Sequence, residues 1–217
     1  MKRLTILIAF AVVFIYGCNK EETSPSSDYQ QSTASNVTIH SINFEGELIG
    51  SKVITIDAAN SSTGTSTELK ANNNQHLNGH YHTQAGSVVN GSAVVNNGGT
   101  HGNMNINFAS GEELKLSTSG LEIEGNQAAI GGQITQTSGF PEGHPFSVIG
   151  NYFYTLVEDN GEGNNAPSDR YSEQLFWSPE ELGDLTFLLT PNSGAWNPAL
   201  LSDTAEESDQ IQVSGGN

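Results

Sequence analysis

Three of the six histidines fall within seven residues of the sequence, in the segment HLNGHYH. Side chains two residues apart on a β-strand share a face, so His80 and His82 are expected on the same side of a sheet. His76 begins the segment, and His101 is expected on a neighbouring strand. Imidazole suits Zn, Cu or Ni, and such a site needs three or four ligands. The four histidines form a candidate metal site; the alternative is a solvent-facing polar loop.

A second group of candidate ligands surrounds the Gly-rich turn in EDNGEGNNAPSD. Asp159, Glu162 and Asp169 supply carboxylate oxygens, the ligand type that Ca²⁺ prefers. The order differs from that of an EF-hand, because Gly161 stands where a ligand is needed. The segment therefore has two interpretations: a calcium site formed by these three acids, or a long β-turn with an Asn-Gly pair at its tip.

The chain carries none of the short motifs that mark common catalytic sites. It has no Gly-x-Ser-x-Gly elbow, no Walker loop and no Rossmann fingerprint. No catalytic residue is assigned, no cofactor is required, and a non-enzymatic protein is expected. The alternative is a metal-dependent hydrolase or a metal-binding protein that uses His76, His80 and His82. The candidate ions are Zn for the histidines and Ca for the acids of the turn.

The single cysteine of the chain, Cys18, follows a basic start and an apolar stretch from Leu4 to Tyr16. This layout is that of a secretory signal peptide, and the stretch is shorter than the 20 or so residues that span a bilayer. The end of the stretch, Ile-Tyr-Gly-Cys, resembles the lipobox of bacterial lipoproteins, although Tyr16 is bulkier than usual. The resemblance implies that residues 1–17 are removed and that the Cys18 sulfur carries diacylglycerol.

The residues behind Cys18 read Asn-Lys-Glu-Glu. Lys20, Glu21 and Glu22 resemble the export signal of surface-exposed lipoproteins of the Bacteroidota. The resemblance implies transport to the outer face of the outer membrane, with the lipid at Cys18 as the contact with the membrane. The alternative is a charged, solvated start to a linker.

The charge of the chain excludes one class of partner. The sequence has 7 Lys and Arg against 24 Asp and Glu, a net charge of −17. Removal of residues 1–17 takes two basic residues away, leaving 5 − 24 = −19 on 200 residues. A chain this acidic repels the phosphate backbone, so nucleic-acid binding is not expected. Two hundred residues are enough for a domain with a substantial core.

The apolar pattern predicts strands. Met104, Ile106 and Phe108 alternate with three asparagines, which places the apolar side chains on one face of a strand. The segment FSVIGNYFYTLVE is apolar on both faces, as in a central strand that is covered on both sides. About nine short strands joined by Asn-Gly turns predict an all-β fold, an antiparallel β-sandwich or a partly open barrel. The expected organisation is a lipidated flexible tether over residues 18–36, this domain over 37–201, and an acidic disordered tail over 202–217.

A further resemblance covers residues 86–177, with GNMNINF, GNQAAIGGQI and VEDNGEGNNAPSDRYSEQLFW. This stretch is similar to an uncharacterised β-domain of secreted bacterial proteins that shares the Asp-Asn-Gly turn. The resemblance implies a secreted β-fold and assigns no catalytic residues. Together these features predict a lipoprotein of the outer membrane and cell surface, with a β-domain for binding or envelope architecture. A further alternative is an accessory glycan-binding lipoprotein.

Overall fold

The structure is a computed structural model, and it describes residues 35–43, 48–56, 75–96, 99–162, 166–189, 200–206 and 208–215. The described part is all-β, with short 3₁₀ helices in its connections. Every pair of neighbouring strands is antiparallel. The all-β antiparallel fold predicted from the sequence is confirmed.

In the described residues, twelve strands form one sheet, more than the nine or so that the sequence predicts. They are β1 Ser35–Ile42, β2 Leu48–Ile56, β3 His76–His82, β4 Val88–Asn96, β5 Gly99–Asn107, β6 Glu113–Glu124, β7 Gln127–Ser138, β8 Tyr152–Glu158, β9 Arg170–Ser172, β10 Leu175–Ser178, β11 Leu201–Asp203 and β12 Gln210–Ser214. Strand β1 begins two residues before the domain start expected at residue 37.

Strands β3 to β8 follow one another in space as they do in the chain. The full order is β12-β3-β4-β5-β6-β7-β8-β10-β1-β2, and β9 pairs with both β8 and β11. The sheet is not closed into a barrel, and β12 and β2 are the strands at its two ends. Because β12 lies against β3, the end of the chain reaches the histidine-bearing strand.

The main core lies on one face of this sheet. One buried cluster combines residues from both sides of the sheet order: Leu77 and Ile211 of the adjacent strands β3 and β12, and Ile42 and Leu175 of the adjacent strands β1 and β10. The sheet therefore curls so that strands from both sides contact this core, which is compatible with a sandwich.

The predicted alternation on β5 is confirmed. Met104, Ile106 and Phe108 are buried, whereas the intervening asparagines are exposed. Phe108, just past the end of β5, packs with its ring centroid 5.3 Å from that of Phe140. The neutral amides consequently form part of the outer face of the sheet.

Strand β8 is covered on both faces, as its apolar sequence predicts. Phe153 and Val157 belong to the main core, while Tyr154 and Leu156 belong to a second buried cluster. The 3₁₀ helix Thr186–Leu189 and the residues just before it cover this second face. Strand pairing and packing thus fix β8 on all sides.

The expectation of a disordered tail over residues 202–217 is wrong for its described part. Residues 210–214 form β12, which pairs with β3 along its whole length. Ile211 is buried, and its N–H donates to the Asp169 carboxylate at 2.6 Å. The physical reason is the alternation Gln-Ile-Gln-Val, which buries one residue in two. The folded domain therefore extends to Ser214.

Candidate functional site

The exposed face of β3 carries the histidines. Along the strand, Leu77, Gly79 and Tyr81 are buried, and the residues between them are exposed or half-buried. His80 and His82 consequently project from the outer face as neighbours, with ring centroids 5.4 Å apart and ring planes nearly perpendicular. The alternation of β3 has brought the two imidazoles to the same side, as the spacing predicts.

The connection between β11 and β12 brings a buried carboxylate to these rings. Asp209 Oδ1 lies 2.8 Å from His82 Nδ1, and Asp209 Oδ2 accepts from the backbone N–H of His82 at 2.9 Å and of Glu206 at 3.2 Å. The Ala205 N–H donates to the His82 carbonyl at 2.9 Å. These bonds fasten the connection to the end of β3 and hold Asp209 in place.

His80, His82 and Asp209 form a compact group. One ligand atom from each lies within 4.8 Å of the others. His80 Nδ1 is also 2.5 Å from Asn90 Oδ1 on strand β4. The hydrogen bond to Asp209 raises the pKa of His82 above its ordinary value, and the Glu206 carboxylate, 3.8 Å from His82 Nδ1, acts in the same direction. Two imidazoles and a carboxylate therefore meet at one corner of the sheet.

The other two histidines of the predicted metal site lie at the opposite end of these strands. His76 and His101 face the same side as His80, but each is in register with Val94 of the strand between them. His80 lies four positions after His76 on the strand, which is about 13 Å along an extended chain. The structure thus brings together only two of the four histidines and adds Asp209.

The acids proposed as calcium ligands take part in other contacts. Asp159 accepts from the N–H of Gly161 and of Val213, both at 2.8 Å. Asp169 accepts from the N–H of Asn160 at 2.8 Å and of Ile211, and burial raises its pKa. Glu162 accepts from the side chain of Gln212.

Through these bonds, Asp159 and Asp169 hold strand β12 and the turn in place. A depression of about 430 Å³ lies beside them, lined in part by Glu162, Asp169, Glu206 and Asp209. In the described part of the chain, the ligand atoms of the three acids do not form a close group as those of His80, His82 and Asp209 do. The calcium site stays a prediction.

A second feature of the outer face is its neutral polar surface, which we call the amide face. Two adjacent rows of residues in register across β12, β3, β4, β5, β6 and β7 define it: Gln210, His80, Asn90, Asn105, Lys115 and Gln136, and next to them Gln212, Asn78, Ser92, Asn103, Ser117 and Gln133. All twelve side chains are exposed or half-buried. With His80 neutral, Lys115 is the one charged group among the twelve. Within the first row, Lys115 Nζ donates a hydrogen bond to Gln136 Oε1 at 3.2 Å.

The predicted lipid and export signals lie outside the described residues. Cys18, Lys20, Glu21 and Glu22, together with the signal peptide and the tether up to residue 34, stay predictions. In the part of the chain that the structure describes, no helix is long and apolar enough to cross a membrane. No family model matches the chain, and no curated protein or solved structure matches it significantly.

Sequence reasoning missed Asp209 and Glu206 as partners of the histidines. Both lie in the acidic segment for which the sequence predicts a disordered tail, because charged residues are typical of solvated segments. The sequence does contain one indication of a strand next to them: directly after Asp209, Ile211 and Val213 alternate with glutamines. A strand at that place requires a turn before it, and an Asp is a common turn residue.

Proposed function

We propose that this protein is a lipid-anchored component of a bacterial cell envelope whose β-sheet domain binds a carbohydrate ligand and does not catalyse a reaction. The lipid at Cys18 would anchor the chain, and the residues behind it would send the chain to the cell surface. The amide face would then be the surface presented to the ligand.

The observation that carries this proposal is the neutrality of the amide face on a strongly acidic protein. The whole chain has a net charge of −17, yet the two rows of side chains contain amides, hydroxyls, one imidazole and Lys115. Amides and hydroxyls both donate and accept hydrogen bonds, as sugar hydroxyls do. Their regular spacing, about 4.8 Å between strands, offers many such groups to an extended neutral polysaccharide.

The surroundings of His82 argue against a Ser-His-Asp hydrolase. A Ser-His-Asp arrangement needs a hydroxyl on the imidazole nitrogen that faces away from the carboxylate. In the described part of the chain, the polar partners of the His82 ring are the carboxylates of Asp209 and Glu206. Asp209 also receives two backbone N–H bonds, as a residue with a structural role does.

A glycan array tests the proposal with the purified full-length protein in detergent. We expect binding to neutral polysaccharides, and a strong loss of signal when Asn78, Asn103 and Asn105 are all changed to Ala. Because these side chains are exposed, the melting temperature of the triple variant should stay close to that of the wild type. The matched control is Glu181→Ala, which changes an exposed residue of the 3₁₀ helix Glu180–Leu182. This variant should bind the glycans as the wild type does.

Two outcomes contradict the proposal. One is an array on which no neutral glycan is bound above background. The other is equal binding by the wild type and the triple Asn variant, which would place any carbohydrate site away from the amide face.

A further inference from the structure

We propose that His80, His82 and Asp209 form a binding site for a divalent transition-metal ion of the zinc type. Each residue supplies one ligand atom, and water or the Glu206 carboxylate completes the coordination. His80 and Asn90 belong both to this site and to the amide face, but Asn78, Asn103 and Asn105, which test the carbohydrate proposal, are not among the groups of the metal site. The two proposals can therefore be tested separately.

The distances are close to those of a metal site. Zinc lies about 2.0–2.2 Å from His nitrogens and carboxylate oxygens, so two ligand atoms on one ion are at most about 4.2 Å apart. The three ligand atoms here lie within 4.8 Å of one another, and His82 and Asp209 already approach to 2.8 Å. His80 is exposed, so its side chain has room to move toward the other two ligands.

Asn90 prepares His80 for this role. An amide oxygen can only accept a hydrogen bond, so its contact at 2.5 Å places the proton of His80 on Nδ1. The lone pair of Nε2 is then free for a metal ion. Metal-binding histidines characteristically donate their second ring N–H to such an oxygen, which fixes the tautomer and the ring orientation. Asn90 is thus a positioning residue for His80.

The charges around the group suit a cation. The Asp209 side chain is fully buried and its carboxylate is directed at the His82 ring, while the Glu206 carboxylate is half-exposed and 3.8 Å from the same nitrogen. Two imidazoles select zinc or copper over calcium or magnesium, which prefer oxygen ligands. A bound ion would therefore meet two nitrogens and a preformed negative charge.

Binding would also link two parts of the fold. His80 and His82 belong to β3, whereas Asp209 belongs to the connection that leads into β12. An ion shared between them joins the C-terminal strand to the sheet. Since a ligand that binds only the folded state stabilises that state, zinc should raise the melting temperature of the domain.

The test is isothermal titration calorimetry with Zn²⁺ on the full-length protein in detergent, prepared without a histidine tag. We expect one ion per chain, and at least 10-fold weaker binding for His80→Gln, whose exposed side chain can be replaced without loss of the fold. Asn90→Ala should weaken binding by about 10-fold, because it removes the hydrogen bond that orients the His80 ring. His82→Gln should weaken it as well, with circular dichroism to confirm that this variant is folded.

The matched controls are His76→Gln and His101→Gln, which lie on the same face at the opposite end of the strands. Both should bind Zn²⁺ as the wild type does, and Ca²⁺ should not displace the zinc. The proposal is overturned if the wild type does not bind Zn²⁺. It is also overturned if all four His variants lose affinity equally, since that would indicate only nonspecific contact with surface imidazoles.

Discussion

At the residue scale, the most perturbed acid on the second covered face is Glu122 of β6. Burial raises its pKa from the ordinary 4.5 to about 7, and the negative charge of Asp184 adds to this effect. Asp184 itself accepts from the hydroxyls of Ser119 and Thr186. Glu122 therefore binds its proton more tightly in the folded chain than in the unfolded one.

This difference predicts a dependence of stability on pH. Between about pH 4.5 and pH 7 the folded state holds a proton at Glu122 that the unfolded state has released, so the free energy of unfolding falls as pH rises through this window. Glu122→Gln removes the titration and should stabilise the protein by about 1–3 kcal/mol at pH 8, with little change near pH 4. Melting temperatures from pH 4 to pH 8 measure this.

The control for Glu122 is Glu181→Gln, a change at an exposed residue of the 3₁₀ helix Glu180–Leu182. Its melting profile should follow that of the wild type. An unchanged profile in Glu122→Gln would show that its carboxyl group does not titrate in this window.

At the element scale, the strand β5 provides a direct comparison of its two faces. Phe108 is buried against Phe140 and Phe146, whereas Asn105 is exposed on the amide face. Phe108→Ala should cost about 3–5 kcal/mol, because it removes buried apolar surface and leaves a cavity. Asn105→Ala should cost much less. Denaturation midpoints in guanidinium chloride compare the two variants, and equal small shifts would contradict the assigned faces.

The elements also show what the sequence could and could not predict. Alternation predicts β5 and the face of His80 and His82, because a strand repeats every two residues whatever its neighbours are. Which strands become neighbours depends on pairing over long distances in the chain. His76 lies on the same strand as His80, and His101 lies on β5. The strand register nevertheless places both at the opposite end of these strands from His80. Asp209 comes from 127 residues beyond His82.

The C-terminal strand shows how charge can mislead. The acidic composition of residues 202–217 is typical of a solvated tail, since charged side chains are costly to bury. Asp209 is nevertheless buried, because backbone N–H groups and the His82 ring satisfy its oxygens. Such compensation depends on tertiary contacts and is not visible in composition.

At the scale of the whole molecule, the residues predicted to direct the protein to the cell surface are different from those proposed to bind the ligand. The predicted signal behind the lipid, Lys20-Glu21-Glu22, should be needed for surface exposure and not for membrane attachment. Changing all three residues to Ala should lower the susceptibility of the protein to external protease on intact cells, with the amount of membrane-bound protein unchanged. Equal susceptibility would mean that these charges belong simply to the linker.

We expect lipid at Cys18 to anchor the chain, and metabolic labelling with a clickable fatty-acid analogue tests this expectation. A thiol is the nucleophile that forms the thioether to diacylglycerol, and Cys18 is the single cysteine of the sequence. Two or more acyl chains are needed for stable anchoring. We expect strong labelling of the wild type, and loss of both the label and signal-peptide cleavage in Cys18→Ala. Undiminished label in Cys18→Ala would contradict lipid attachment at this cysteine.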